Sequence, residues 1–195
     1  RADINAMHGV FFNSTLPVWL ADAMVNSLSH MRSLWWTRDN RVRQWEAYDC
    51  VNIDSVHNDG ERHVPYIVFF PDITANKMAA WGAGAAKSGM INEQLGTGCL
   101  GRVPSFDRPS GRAMSDVSSM YIMYALELYW WANETALVQQ LWPRVRAAAE
   151  WQLAVSERYG LPAHLVSTYD LLGLQRFDTA TYNGVFHLMA MKAAA

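Results

Sequence analysis

The feature that most restricts this chain is an alternation. Segments with helical periodicity are separated by three polar stretches of more than 20 residues each, 37–62, 88–114 and 158–179. Apolar side chains at three-to-four spacing mark the helical segments. Leu16, Leu20, Met24, Leu28, Met31 and Trp35 predict one amphipathic helix over 16–36, with Thr15 as N-cap and Pro17 in its first turn. PYIVFFPD reads as a short apolar helix ended by Pro71. A helix from about Ile73 to Lys87 follows, with Met78, Trp81 and Ala85 on one face. Ser115 is positioned to cap a helix over Asp116–Trp131, in which Val117, Met120, Tyr124, Leu128 and Trp131 are in register. Leu137, Leu141, Val145, Ala148 and Trp151 mark a helix over 134–157, with Pro143 starting or kinking its second half. The last piece, Thr181 to Ala195, reads as a closing helix. No strand pattern and no internal repeat is evident. Structureless loops of this length are uncommon in a compact domain and tend to carry function. A simple bundle would use short links. The expected class is all-α, with helices in a toroid and the long loops gathered at one end to form a site.

The net charge of −2 gives no basic excess for nucleic acid or an anionic membrane. No run of about 18 apolar residues predicts a membrane span. The chain opens on Arg1 without a signal-peptide pattern, so the expectation is a mature, processed or excised piece. Two cysteines, Cys50 and Cys99, exclude a disulfide framework and leave open one bridge or two free thiols. Asn13-Ser14-Thr15 and Asn133-Glu134-Thr135 fit the N-glycosylation pattern, so Asn13 and Asn133 are candidate acceptors. They point towards a secretory route and leave the compartment otherwise open. Nine Trp residues stand out. Flat aromatic rings suit the apolar C–H faces of sugars, although roughly three in four are expected in the core.

The first long stretch carries Trp45-Glu46-Ala47-Tyr48-Asp49-Cys50, then Asp54 and His57-Asn58; the third carries Tyr169-Asp170, then Asp178 and Thr181-Tyr182-Asn183. Hydrolysis of a glycosidic bond uses two carboxyl groups, one as nucleophile or base and one as acid. A separation of roughly 5–5.5 Å gives retention, and a wider one inversion. Acids on segments far apart in sequence are the arrangement such a mechanism uses. No His, Cys and Asp cluster has metal-ligand spacing, so neither a metal nor another cofactor is expected.

Four stretches carry a family resemblance: FFNSTLPVWLADAMVNSLSHMRSLWW, WEAYDCVNIDSVHNDGERHVPYIVFFP, GRAMSDVSSMYIMYALELYWWANETALVQQLWPRVRAAAEWQL and GLQRFDTATYNGVFHLMAMKAAA. In order, they resemble the opening helix, the nucleophile loop, the following helix pair and the acid/base loop of glycoside hydrolase family 116, the β-glucosidases and non-lysosomal glucosylceramidases. The resemblance runs over nearly all of 1–195. It implies part of an (α/α)6 toroid and retaining hydrolysis of β-glucosides or glucosylceramide-like glycosides, with a carbohydrate or glycolipid as substrate. By this resemblance Glu46 matches the nucleophile, with Ala47 where the family has Gly. His57 falls where the family places a sugar-hydroxyl ligand, and Trp45 and Asp49 flank the nucleophile as candidate substrate contacts. Thr181 and Tyr182 match the two residues before the acid/base, where the family reads Gln-Thr-Tyr-Asp or Asn-Thr-Tyr-Asp. The acid/base position itself matches Asn183, whose amide has no proton to give at neutral pH. Asp178, five residues earlier, is the candidate substitute if the loop is rebuilt. A second alignment puts the nucleophile near Arg38-Asp39; Glu46 is favoured because it also places Cys50 and His57.

The toroid needs about six helix pairs, of which this chain supplies roughly half. The family's later Glu and Arg sugar ligands are therefore expected beyond Ala195, on the remainder of the toroid or on other chains of an assembly. The alternative reading is a non-catalytic relative, serving as a glycan-binding or structural extracellular module. A third reading, a helical scaffold whose aromatics are all core, expects Trp45 and Tyr182 to be buried.

Overall fold

A computed structural model of the chain describes residues 2–45, 52–60, 62–97, 109–168 and 179–195. It is mostly helical, and the chain falls into two compact units, Arg1–Leu34 and Trp35–Ala195.

The first unit contains α1 (Ala2–Phe12), a helix that the periodicity argument did not reach, packed against α2 (Val18–Asn26). The single helix expected over 16–36 is not formed. After Asn26 the chain tightens into a 3-10 segment, Ser27–Ser33. The Ser27 hydroxyl donates to the Met24 carbonyl at 2.6 Å, the kind of local bond by which serine competes with a continuing helix. Thr15 is not the cap either. Pro17 takes that position, its carbonyl accepting from Leu20 and Ala21.

The second unit opens with strands, which the sequence reading did not expect. β1 (Leu34–Trp36) pairs with β2 (Val42–Gln44), and β3 (Asn52–Ile53) pairs antiparallel with β4 (Gly96–Thr97). Bulky aromatic and β-branched residues suit a pleated ladder, which is how Leu34-Trp35-Trp36 leaves the helical pattern. Short helices α3 (Val56–Asp59) and α4 (His63–Phe69) follow, so the stretch 37–62 is not a plain loop. Pro71 starts α5 (Pro71–Ala83) at the first helical position, where its missing N–H costs nothing.

The core is built on α6 (Ser115–Ala132). Two residues link it to α7 (Thr135–Ser156), with Asn133 left-handed at φ 54°. α7 lies antiparallel to α6: Gln152 near its end donates to Ser115 and Ser119 at the start of α6. α8 (Thr181–Ala194) packs against α6 in the parallel sense, with Tyr182 beside Asp116. Val117, Tyr121, Tyr124 and Leu128 of α6 meet Met78 and Trp81 of α5, Leu141, Val145 and Ala148 of α7, and Ala190 of α8. These last three helices match the expected spans closely, with Pro143 inside α7. Ser115 is the first residue of α6 rather than its cap; Met114 holds the cap position.

The aromatics are less buried than expected. Of the nine tryptophans only Trp81 and Trp151 are buried, Trp35 and Trp45 are half-buried, and Trp19, Trp36, Trp130, Trp131 and Trp142 are exposed. Among the described residues no helix is long and apolar enough to cross a membrane.

Gly89 joins the turn after α5 to α7. It has φ +93°, and a Cβ there would run into the Ala147 carbonyl. Gly160, with φ +71°, has open space around it. Gly160→Ala should therefore cost only the left-handed backbone penalty, about 1–2 kcal/mol. Gly89→Ala adds a collision with backbone and should lose about 3 kcal/mol or more, read as the larger drop in thermal midpoint of the pair.

Candidate functional site

The site rests on a buried ammonium. Lys77 of α5 is fully buried, and its Nζ donates to Gln44 Oε1 at 2.7 Å and to both Asp59 carboxylate oxygens at 2.9 and 3.0 Å. Asp54 Oδ1 lies 3.4 Å from the same nitrogen, and Asp54 Oδ2 is 4.0 Å from Arg43 Nε. Gln44 Nε2 donates to the Tyr66 hydroxyl at 3.0 Å. Two cations and two carboxylates thus share one pocket, which is how buried charge is tolerated. Burial pushes the Asp54 carboxyl up to about 6, against the opposing pull of Lys77. The Lys77 ammonium stays above its ordinary value: burial opposes its charge, but Asp59 and Asp54 outweigh that. Asp54 is left-handed at φ 48°, a conformation that Asp tolerates. Its backbone N–H donates to the Gln44 carbonyl, and its carboxylate takes back the Gln44 N–H, both at 2.9 Å. Its carbonyl accepts from Trp81 Nε1 at 2.9 Å.

Above this hub a cleft of about 340 Å³ opens between α3, α4, α6 and α8. His57, Gly60 and His63 form one side and Met120, Met123, Tyr124 and Glu127 of α6 another; Thr168, Tyr182 and Phe186 close it. His63 Nδ1 donates to the Asp59 carbonyl at 2.9 Å, and its Nε2 donates to the Glu127 carboxylate. With an acceptor at each nitrogen the imidazolium is favoured. Burial opposes the charge, but the hydrogen bond and charge of Glu127, with Asp59 behind it, raise His63 above its ordinary value. Tyr124 lies against the His63 ring at 4.4 Å between centroids, and its hydroxyl donates to Val56 O at 3.0 Å. Behind the far wall Asp116 is fully buried. Its Oδ2 accepts from the Thr168 N–H at 2.7 Å, the Thr168 hydroxyl at 2.6 Å and the Tyr182 hydroxyl at 3.2 Å. A carboxylate in the first turn of α6 is also favoured by the helix dipole.

Of the residues expected from sequence, His57 and Tyr182 come together at this cleft. Glu46, Asp49 and Asp178 lie outside the described residues, as do Cys50 and Cys99. Trp45 is half-buried, with its ring 4.5 Å from that of Trp35, and does not line the cleft. Thr181 is exposed at the start of α8. Asn183 is buried in the first turn of α8 and is not a cleft-lining residue; its Nδ2 donates to the Leu165 carbonyl at 3.2 Å. Tyr182 is half-buried, as Trp45 is, so neither matches the all-core scaffold reading. Asn13 and Asn133 are both exposed. No group of three His, Cys, Asp or Glu side chains among the described residues is placed to hold a metal ion.

Sequence reasoning missed Lys77, Asp116, Thr168 and the His63–Glu127 pair. Asp116 had a readable signal, an acid in the first turn of a confidently periodic helix. Glu127 had a weaker one, a charge set between Leu126 and Leu128 in the apolar part of that helix. No known family model matches the chain, and no curated protein sequence matches it.

Two predictions follow from the charges. Lys77→Met leaves two carboxylates facing each other in the interior and should destabilise the fold by about 3–5 kcal/mol. The loss should be largest above pH 6 and shrink as acid protonates Asp54, measured by denaturant unfolding across pH. His63 has a raised folded pKa, so its contribution to stability is full below its ordinary 6.5 and is lost as pH rises through the folded value. Glu127→Gln should flatten that alkaline decline; an unchanged pH profile would rule out the pair as its source.

Proposed function

We propose that the cleft belongs to a glycan-active site of the glycoside hydrolase family 116 type, in a helical domain that forms part of an (α/α)6 toroid. The observation that carries the reading is convergence. His57 from the first long polar stretch, Thr168 from the third and Tyr182 at the start of the closing helix meet at one cleft. Two-carboxylate chemistry needs acids held about 5–10 Å apart in space, and segments that meet at one cleft can supply them. The helix arrangement agrees: α6 and α8 start side by side, with Asp116 bonded to Tyr182, and α7 returns antiparallel from the end of α6. Alternate helices that begin at the same end are the repeating element of such a toroid.

In this reading Glu46 is the nucleophile, and a sugar lies with its apolar face against the aromatic and methionine side of the cleft. The acid comes from the 178–183 loop, where Asp178 suits the role better than Asn183. Asp178 lies ten residues beyond Thr168 in the same segment. Tyr169, Asp170 and Asp178 are outside the described residues. Asn183 has no acidic proton, and its amide is committed to Leu165 inside the helix packing.

Asn183 also supports the second reading, a non-catalytic relative that binds glycans through the same cleft. Assay of the full-length protein on an aryl β-glucoside separates the two. The hydrolase reading expects turnover, lost in Glu46→Gln and lowered about 10²–10⁴-fold in Asp178→Asn, with little change in Asn183→Asp. An inert natural protein that gains activity as Asn183→Asp would instead establish the non-catalytic relative.

A further inference from the structure

Away from the cleft, the β1–β2 hairpin presents a tryptophan in an unusual way. Trp36 is 55% exposed, yet its ring is not loose. Its Nε1–H donates to Asn40 Oδ1 at 2.7 Å. Asn40 is itself fixed, left-handed at φ 60°, with its N–H on the Thr37 carbonyl at 3.0 Å. The Thr37 hydroxyl binds both the N–H and the carbonyl of Arg41, each at 3.1 Å. Asn76 of α5 braces the turn from beneath: its Oδ1 accepts from the Val42 N–H at 2.9 Å and its Nδ2 donates to the Asn40 carbonyl.

The indole is therefore one wall of a preformed hollow of about 460 Å³. Asp72 and Asn76 of α5 and Leu137 of α7 line the rest, together with Asn40. Asp72 is exposed, and no hydrogen bond or ion pair engages it among the described residues. A scattered exposed tryptophan is unremarkable by itself. A ring whose only polar atom is already bonded, held over a concave surface beside a carboxylate and amides, is different. It can offer only its apolar face, while hydroxyl acceptors and donors stand at its edge. That combination suits a ligand with one flat C–H face and equatorial hydroxyls.

From this geometry we infer that Trp36, Asp72 and Asn40 form a second carbohydrate-binding subsite, separate from the cleft, which stacks one pyranose ring of a β-linked glucan on the indole. The choice of a sugar over other flat ligands rests on the glycan-active reading above. Among the described residues no cation lines the hollow to hold a phosphate or carboxylate. With Leu137 and Ala75 its only aliphatic side chains among the described residues, the hollow offers too little apolar wall for a lipid chain.

The test is calorimetric titration of cellotetraose into the full-length Glu46→Gln protein, which binds without turnover. Two binding components are expected. Adding Trp36→Ala should weaken one of them about tenfold, and Trp36→Phe, which keeps a ring, should retain most of it. Asp72→Ala should weaken the same component. In the otherwise natural protein, Trp36→Ala should leave aryl β-glucoside turnover unchanged. An isotherm indifferent to Trp36 overturns the subsite, as does binding of tetramethylammonium at Trp36 in a protein that ignores cellotetraose. Trp36-dependent sugar binding by a protein without turnover would uphold the subsite and remove the hydrolase reading instead.

Discussion

One buried ammonium holds the front of this molecule together. Lys77 projects from α5 into a space with no solvent, and the groups that satisfy it come from β2, from the bend after β3 and from the end of α3. None of these elements is long enough to be stable alone. Strands of two or three residues and a helix of four residues exist because their polar ends converge on the same charge. The arrangement passes directly to the cleft, since Asp59 binds Lys77 with its side chain and His63 with its carbonyl. The orientation of the cleft imidazole is thus set from beneath, by a charge that never touches a ligand.

The other half of the unit is organised by neutral polar groups. Gln152 of α7 donates to Ser115 and Ser119 of α6, and its carbonyl oxygen faces His187 Nδ1 of α8 at 3.3 Å. Burial keeps His187 below its ordinary value, which suits a neutral ring donating to that oxygen. Three helices are fixed in mutual register by one side-chain amide. Asp116 does the corresponding work one residue along α6, gathering Thr168 and Tyr182. Charge orders the short elements around Lys77, and hydrogen bonding orders the long helices.

These two regimes explain what could be read from sequence. The helices α6, α7 and α8 were legible because each buries one apolar stripe over 14 residues or more, and periodicity reports burial of that kind. The region 16–62 was not. Leu28, Met31 and Trp35 continue a helical spacing, but a serine-rich 3-10 segment and a tryptophan ladder intervene. Asp54 takes a left-handed backbone that no local pattern announces. Nothing in the local sequence marks Lys77, and only the partners supplied by residues 44, 54 and 59 reveal it as interior. His57 and Tyr182, singled out through the resemblance, both line the cleft. His63 and Glu127 were not singled out, because they are 64 residues apart and neither is unusual alone. The tryptophan count suggested aromatic surfaces, but not that the exposed ring pinned at the hairpin would be Trp36.

The two-residue link at Asn133 has a consequence for how the molecule assembles. Closing α6 onto α7 needs no distant chain, so this hairpin forms its contacts at a small entropic cost. The bonds that complete the cleft span far more: 52 residues from Thr168 to Asp116 and 68 from Tyr124 to Val56. Local closure therefore favours a helical hairpin that precedes the cleft and acts as the template on which the distant segments settle. A left-handed asparagine outside the cleft lining thereby influences the time at which a binding surface first exists.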